Sequence, residues 1–328
     1  MTGTFKANIP YNNFLLFVYG LVLKLPVFIL PITPVPQKWD AVFYRSLLSW
    51  LQPVGKGFPH IYSVIAFLLL YLQAISFNKL VNHQRLLPKP NYLSGMSYLL
   101  IASLFPGWYG LHAPLIAATF LIWIVSKLCT LHNNPDSKTT IFNIGLMLGM
   151  ATLFYFPSIA FLLVVLIGLA ITRTFKLPEW LMVFLGVMTP YYFLWAIIFL
   201  TGSDQLTWFP TFALSKPSLP ASGWIYAAIT LLLLTAGVGV IFIQSNMRRL
   251  LVQSRKSWTI LFIYLLIAIV VPFLNASPAF NYWMLTAVPL ASMAASAFFF
   301  PDRKWFPMLM HWGMVLLTAV MGVFYVMK

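Results

Sequence analysis

Long apolar runs separated by short polar breaks recur along the whole chain. Many of these runs reach the roughly 20 residues that a helix needs to cross a hydrocarbon core of about 30 Å. Because lipid offers no hydrogen bonds to backbone groups, such runs must be helices. We predict eleven spans, at about residues 13–34, 59–78, 92–106, 111–129, 141–156, 157–173, 178–201, 222–244, 258–276, 281–299 and 306–327. The pattern indicates an all-α, polytopic membrane helix bundle, with residues 1–328 forming a single integral membrane domain.

The longest polar interruption near the start of the chain, residues 36–60, contains a short amphipathic segment. Its apolar side chains fall near helical spacing, with polar residues between them, at Trp39, Val42, Phe43, Leu47, Trp50 and Leu51. A helix of this pattern lies in the plane of the membrane interface, with its apolar side in the headgroup boundary. We therefore predict an interfacial helix that holds Asp40 at the membrane surface.

The amino-acid composition supports a membrane protein and argues against a soluble protein or a nucleic-acid-binding protein. Hydrophobic residues make up 61% of the chain and charged residues 8%, where soluble proteins have about a quarter charged. The net charge of +15 does not indicate a nucleic-acid partner, because the basic residues are dispersed in short loops between spans. That distribution is typical of topology signals. The predicted partner is the lipid bilayer.

The basic residues also predict the orientation. With the N-terminus in the cytoplasm, one side of the membrane holds fourteen of them, Lys6, Lys79, Arg85, Lys89, Lys127, Lys138, Arg173, Lys176, Arg248, Arg249, Arg255, Lys256, Arg303 and Lys304. The other side holds five, Lys38, Arg45, Lys56, Lys216 and Lys328. Because cytoplasmic loops are enriched in Lys and Arg, we predict a cytoplasmic N-terminus, a basic cytoplasmic loop at 245–257, and an outer C-terminus. The loops 36–60 and 202–221 then lie outside.

Two features inside the predicted spans concern packing. Lys24 lies in the middle of the first span, where a lysine is expected to face protein rather than lipid. Whether its partner is functional stays open at this point. Gly145 and Gly149 form a small-xxx-small pair, which lets another helix approach closely. The five acidic residues all lie at span ends or in loops, and this disfavours a transporter that binds protons or sodium at the membrane midplane.

The first outer loop resembles that of the glycosyltransferase C superfamily of membrane enzymes. The matching residues are Trp39–Tyr44, similar to a WD…Y pattern, and the helix after them. The resemblance implies a transferase that uses a polyprenyl-phosphate-linked donor on the outer face, with Asp40 as the general base. It also implies that cations on that face contact the donor phosphate. The candidates for this role are Arg45, Lys56 and Lys216, together with His60 and His112.

Many enzymes of that superfamily use a second acidic residue and often a divalent metal ion. Asp204 is the other acidic residue in the predicted outer loops, so it is the candidate for the second carboxylate. A divalent metal stays open, because one pair of distant carboxylates does not define a site. No glycine-rich phosphate loop and no Cys/His metal spacing occurs in the sequence, and no cofactor is expected.

A longer stretch, residues 78–192, resembles an uncharacterised family of bacterial polytopic membrane proteins. The matching segments are NKLVNHQRLLPKPNYLSGMSYLLIASLFP, IFNIGLMLGMATLFYFPSIAFLL and TRTFKLPEWLMVFLGVMTPYYF. This resemblance implies the bacterial inner membrane and adds no chemistry. Three functions remain open: the transferase, a non-catalytic subunit that docks other envelope membrane proteins on the loops 36–60 and 202–221, and a transporter.

Overall fold

The described part of the protein is entirely helical. The computed structural model describes residues 2–37, 40–133, 137–201, 214–218, 222–275, 279–303 and 305–327, and no β-strand occurs within these ranges. The α-helices are α1 (Thr2–Lys6), α2 (Asn12–Leu23), α3 (Leu25–Ile29), α4 (Val42–Gly57), α5 (His60–His83), α6 (Leu93–Ser103), α7 (Ala113–Thr130), α8 (Ser137–Phe154), α9 (Leu162–Thr172), α10 (Leu177–Thr201), α11 (Gly223–Asn246), α12 (Val252–Val270), α13 (Ala287–Phe299) and α14 (Trp305–Val326). Short 3₁₀ helices include Pro106–Trp108, Phe156–Phe161 and Phe280–Thr286.

The predicted membrane character is confirmed. Among the described residues, seven helical segments are long and apolar enough to cross a membrane: His60–His83, Ala113–Thr130, Leu177–Thr201, Gly223–Arg249, Val252–Leu274, Phe280–Phe299 and Trp305–Val326. Each coincides with a predicted span. The other four predicted spans correspond to helices that are shorter or more polar, namely α2 with α3, α6, α8, and the 3₁₀ helix Phe156–Phe161 with α9. Length and composition thus indicate a membrane protein and establish seven candidate spans rather than eleven.

The first predicted span is two helices and not one. Helix α2 ends at Leu23 and α3 starts at Leu25, with Pro26 in its first turn. Proline has no backbone N–H to donate to the preceding turn, so the helix breaks at Lys24. The Lys24 side chain is buried, as predicted. Its Nζ donates hydrogen bonds to the carbonyl oxygens of Ala102 at 3.0 Å and Trp108 at 3.2 Å.

Helices α6 and α13 form the centre of the bundle. Every residue of both helices is buried, and the two helices contact each other. Both are rich in small and hydroxyl-bearing residues, which allow backbones to approach closely in membrane bundles. Helices α1, α2, α5, α11, α12 and α14 each contact one or both of them, and α11 contacts α13 so closely that a Cβ at Gly239 would overlap the backbone of Met293.

The predicted close helix approach at Gly145 and Gly149 is confirmed. Both glycines of α8 face α10, where a Cβ at Gly145 would overlap the Val183 carbonyl oxygen. A Cβ at Gly149 would lie 2.6 Å from the Val187 carbonyl oxygen. Such distances leave no room for any side chain, so these glycines set the separation of the α8–α10 pair.

The helix predicted after Asp40 is present as α4, and it is docked on the bundle. One face of α4 is buried, with Leu48 and Leu51 in the core and Gly55 seated on the ring of Tyr62. The opposite face is exposed, and Trp50 there is 75% accessible. The apolar residues that were predicted to face the headgroups are therefore divided between the protein core and the exterior.

The bundle has two ends, which long-range hydrogen bonds identify. At one end, which we name the basic end, such bonds link Phe5 with Tyr92, Asn82 with Asn91, Gln84 with Ser254, and Lys6 with Phe299. At the other end, which we name the Asp40 end, they link Tyr44 with Leu111, Trp108 with Phe280, and Leu30 with Tyr325. The predicted cytoplasmic and outer loops are thus sorted between the two ends.

Candidate functional site

Asp40 lies in a tight turn between α3 and α4. The backbone N–H of Gln37 donates a 2.8 Å hydrogen bond to Oδ2 of Asp40, and the N–H of Asp40 donates to the Gln37 carbonyl oxygen at 3.1 Å. Burial raises the pKa of the Asp40 carboxyl, while the bond from Gln37 and the charge of Arg45 act in the opposite direction. A carboxylate whose pKa is raised is a better proton acceptor than an exposed one.

The Asp40 side chain lines a cavity of about 360 Å³ that joins distant parts of the chain. Other polar side chains line the same cavity, among them Tyr44 from α4, His112 directly before α7, and Asn281 and Tyr282 from the 3₁₀ helix Phe280–Thr286. We name these five residues the Asp40 site. The structure therefore brings together side chains from three segments that are far apart in the sequence.

Helix α4 is held against the site by Tyr44. Its hydroxyl donates a 2.9 Å hydrogen bond to the carbonyl oxygen of Leu111, directly before His112. The ring is buried, so this bond is shielded from solvent and fixes the start of α4 relative to the start of α7. Because Asp40 comes two residues before α4, the same bond fixes the position of the carboxylate.

His112 is a neutral base at the same cavity. Burial and, to a smaller extent, the charge of Lys24 lower the pKa of its imidazole to about 4, against a hydrogen bond to the Gly107 backbone that acts in the opposite direction. The ring is therefore uncharged at pH 7. Its Nε2 is buried and has no hydrogen-bond partner among the described residues. An uncharged imidazole nitrogen without a partner is suited to accept a hydrogen bond or a proton.

Several other buried polar atoms at this end of the bundle lack a partner within the described ranges. They are the hydroxyls of Tyr109 and Tyr155, Nδ2 of Asn275 and Nε1 of Trp283. Buried polar groups are normally hydrogen-bonded, and exceptions mark places where water or a ligand completes the bonding. The ring of Tyr155 stacks on that of Tyr282 of the Asp40 site, with the centroids 5.5 Å apart, so water or a polar ligand beside Tyr282 would complete the bonding of the Tyr155 hydroxyl.

The other predicted site residues that the structure describes do not line the cavity. Lys56 is exposed and lines a neighbouring cavity of about 260 Å³, which shares the segment 33–35 with the Asp40 site. His60 begins α5, and its ring centroid is 5.3 Å from that of Phe58. Lys216 is exposed, in a segment that the Ser215 N–H ties to the Phe273 carbonyl oxygen at 3.2 Å. Lys38, Trp39 and Asp204 lie outside the described residues.

Among the described residues, no group of three or more His, Cys, Asp or Glu side chains is placed to hold a metal ion. Asp204 lies outside the described residues. The predicted pairing of Asp40 with Asp204, and any metal ion between them, stays a prediction.

Residues 55–328 match the family of unknown function DUF6427. The chain belongs to this family. The match agrees with the predicted resemblance to an uncharacterised family and extends well beyond residues 78–192. No curated protein matches the chain, and no solved structure does. The resemblance to glycosyltransferase C enzymes therefore rests on the sequence around Asp40.

The DUF6427 match divides the Asp40 site. It includes His112, Asn281 and Tyr282, whereas Asp40 and Tyr44 precede its first residue. Of the five residues, the sequence predicted roles only for Asp40 and His112. It also missed that Lys24 acts electrostatically on His112. The sequence contains one signal for this role of Lys24. It is an ionisable residue within an apolar run, and such residues rarely face lipid.

Proposed function

We propose that this DUF6427 protein is an integral membrane transferase of the glycosyltransferase C type, which acts on a polyprenyl-phosphate-linked substrate with Asp40 as the base. One observation carries the proposal: Asp40 and His112 line the same cavity, and Nε2 of His112 has no partner among the described residues. Two proton acceptors that face one cavity are an arrangement suited to acid–base chemistry.

The proposed reaction is a displacement at the sugar carbon that carries the phosphate. Asp40 takes the proton of the acceptor hydroxyl while the acceptor oxygen forms a bond to that carbon. The bond between the carbon and the phosphate oxygen breaks, and its electron pair leaves with the polyprenyl phosphate. A nearby cation offsets the charge that develops on the leaving group. Arg45 is the candidate on α4, and Lys56 and Lys216 are further candidates at this end.

An apolar cavity beside the Asp40 site supports a lipid substrate. It has a volume of about 790 Å³ and shares Asn281 with the Asp40 cavity. Its other lining residues are mostly aromatic or apolar, among them Trp224, Phe280 and Phe324. Such a lining suits a polyprenyl chain, while the polar cavity next to it suits the phosphate and sugar.

Purification with a mild detergent and native mass spectrometry test the transferase. We expect a polyprenyl phosphate to remain bound to the protein. A photoreactive polyprenyl phosphate should label peptides that contain residues 105–107 and 280–281, which line the apolar cavity. As an internal control, peptides from α10 that contain Leu181 and Leu185, which are exposed and do not line the apolar cavity, should not be labelled. Labelling spread evenly over the lipid-facing helices would contradict the proposal.

The second candidate is a non-catalytic subunit of an envelope complex, and the exposed face of α4 favours it. Trp50, Val54 and Phe58 are exposed at four-residue intervals, so they form an apolar stripe. Such a stripe suits either the headgroup region or another protein. A stable set of partner subunits in the same mass spectra, with no polyprenyl phosphate, would support this candidate over the transferase.

We further propose that the chain crosses the inner membrane eleven times with the basic end in the cytoplasm. Support comes from the sorting of basic loops to one end of the bundle. In a Cys129→Ala background, a membrane-impermeant maleimide should label Lys216→Cys in intact cells and Arg255→Cys only after permeabilisation. Both positions are exposed, and Cys129 is buried. Labelling of Arg255→Cys alone in intact cells would reverse the topology.

A further inference from the structure

A groove at the basic end lies far from the Asp40 site and has a different character. It has a volume of about 430 Å³ and runs between α5 and α7. Leu72, Ser76 and Lys79 line it from α5, and Thr119, Trp123 and Lys127 line it from α7. On each helix these residues are three or four positions apart, so each set forms one stripe on one face.

The floor of the groove is fixed by Gln73, which is buried. Its Nε2 donates 2.7 Å hydrogen bonds to the Leu115 carbonyl oxygen and to Oγ1 of Thr119. Its Oε1 accepts a 2.7 Å bond from the hydroxyl of Tyr98 behind it. These hydrogen bonds connect α5 to α7 at the end of the groove that lies near Leu72. They therefore fix the distance between the two helices, and hence the width of the groove, at that end.

The two helices run in the same direction, which brings their lysines to the same end. Residue 73 of α5 bonds to residues 115 and 119 of α7, and the groove continues toward the C-terminal end of both helices. From Leu72 to His83 the helix rises about 16 Å. This length equals about one leaflet, half of a hydrocarbon core of about 30 Å.

Charge at the open end of the groove is positive. Lys79 and Lys127 have exposed side chains, and Nζ of Lys127 lies 5.5 Å from the centroid of the Trp123 ring. Among the described residues that line the groove, none is acidic. The hydroxyls of Ser126 and Thr130 line the same end. Cations and hydroxyls together are the groups that bind phosphate esters.

We propose that this groove binds one phospholipid with an anionic headgroup. Its phosphate lies between Lys79 and Lys127, and one acyl chain extends along α5 past Ser76 to Leu72. Basic pockets between membrane helices on the cytoplasmic side are suited to anionic headgroups, and the groove has the length that one leaflet requires. The lipid is a bound component of the fold and not a substrate, because it lies at the opposite end from Asp40.

The experiment compares variants of the full-length protein in nanodiscs or detergent, titrated with phosphatidylglycerol and phosphatidylethanolamine and followed by native mass spectrometry. We expect Lys79→Gln with Lys127→Gln to weaken the binding of one phosphatidylglycerol by about 10- to 30-fold, because each lysine near an anionic surface contributes to attraction. Binding of phosphatidylethanolamine should be unchanged. The matched control, Arg248→Gln with Arg249→Gln, removes two exposed charges and should leave this binding unchanged.

A second variant tests the groove itself and keeps both lysines. Ser76→Phe fills the space between Leu72 and Lys79 at an exposed position, so it should also remove the bound phosphatidylglycerol. Equal losses in the lysine and arginine variants, or no loss in Ser76→Phe, would overturn the proposal. Competition by inorganic phosphate or glycerol phosphate at the same concentration as the lipid would also overturn it, because the site would then bind a free anion.

Discussion

Replacing Asp40 by Asn is expected to lower transfer activity by about 10²- to 10⁴-fold, the usual contribution of a general base. In a strain that lacks the gene, the wild-type gene should restore the missing glycolipid product, measured by mass spectrometry of the lipid extract, and Asp40→Asn should not. The substitution suits this test because Asn keeps an oxygen that accepts the bond from Gln37. The turn before α4 is therefore preserved while the proton acceptor is lost.

The matched control for Asp40→Asn is Asp302→Asn. Asp302 is an exposed acid at the basic end, so its loss should leave both the product and the amount of protein in the membrane unchanged. Full restoration of the product by Asp40→Asn would contradict the assignment of Asp40 as the base. So would a loss of product that only follows a lower amount of folded protein.

The direction of the pKa shift adds a pH dependence to the Asp40 assignment. A general base acts when it is deprotonated, and burial raises the pKa of this carboxyl. Activity of the purified wild-type protein should therefore fall as the pH decreases through the raised pKa, above the range of an exposed Asp. In the Asp40→Asn variant the residual activity should lack this decrease.

Most of the helices follow from the hydrophobic pattern alone. Runs such as 178–201 and 306–327 predict their helices to within a few residues, because in lipid an apolar segment has no alternative to a helix. The break at Lys24 was not predicted, although Pro26 is visible in the sequence. Proline in a membrane helix is often accommodated, as Pro190 is within α10, so Pro26 alone does not predict a break.

The composition of the Asp40 site was less predictable than its location. The distribution of basic residues predicts that Asp40 and His112 share one face, because the alternation of the spans determines which loops lie on the same side. This distribution does not show which of those loops meet. Contact between these loops depends on helix packing. It depends in particular on the hydrogen bond from the Tyr44 hydroxyl to the Leu111 carbonyl oxygen and on the stacking of Trp108 on Phe280. Lys56 and Lys216 belong to the predicted outer loops as well, but the packing of the helices leaves both side chains outside the cavity.

Replacing Lys24 by Met is expected to destabilise the bundle by about 2 kcal/mol, the second large effect that the structure predicts. The Lys24 ammonium bonds to the carbonyl oxygens of Ala102 and Trp108, and it lies 4.6 Å from the centroid of the Tyr109 ring. Both carbonyls come at the end of a helical segment, where no backbone N–H is in place to pair with them. Met fills the space but leaves them unpaired, and this cost exceeds the relief from no longer burying a charge.

Thermal unfolding in detergent, followed by tryptophan fluorescence, measures this difference, and Lys6→Met is the matched control. Lys6 makes the same kind of bond, from Nζ to the Phe299 carbonyl oxygen at 2.8 Å, and it also lies over an aromatic ring. Its side chain is exposed, so water can replace the lost bond and the effect should be under about 1 kcal/mol. A Lys24→Met protein as stable as the wild type would show that the lysine is not kept for the fold. The smaller contribution of its charge to the lowered pKa of His112, beside that of burial, would then be the electrostatic effect left for Lys24 at the Asp40 site.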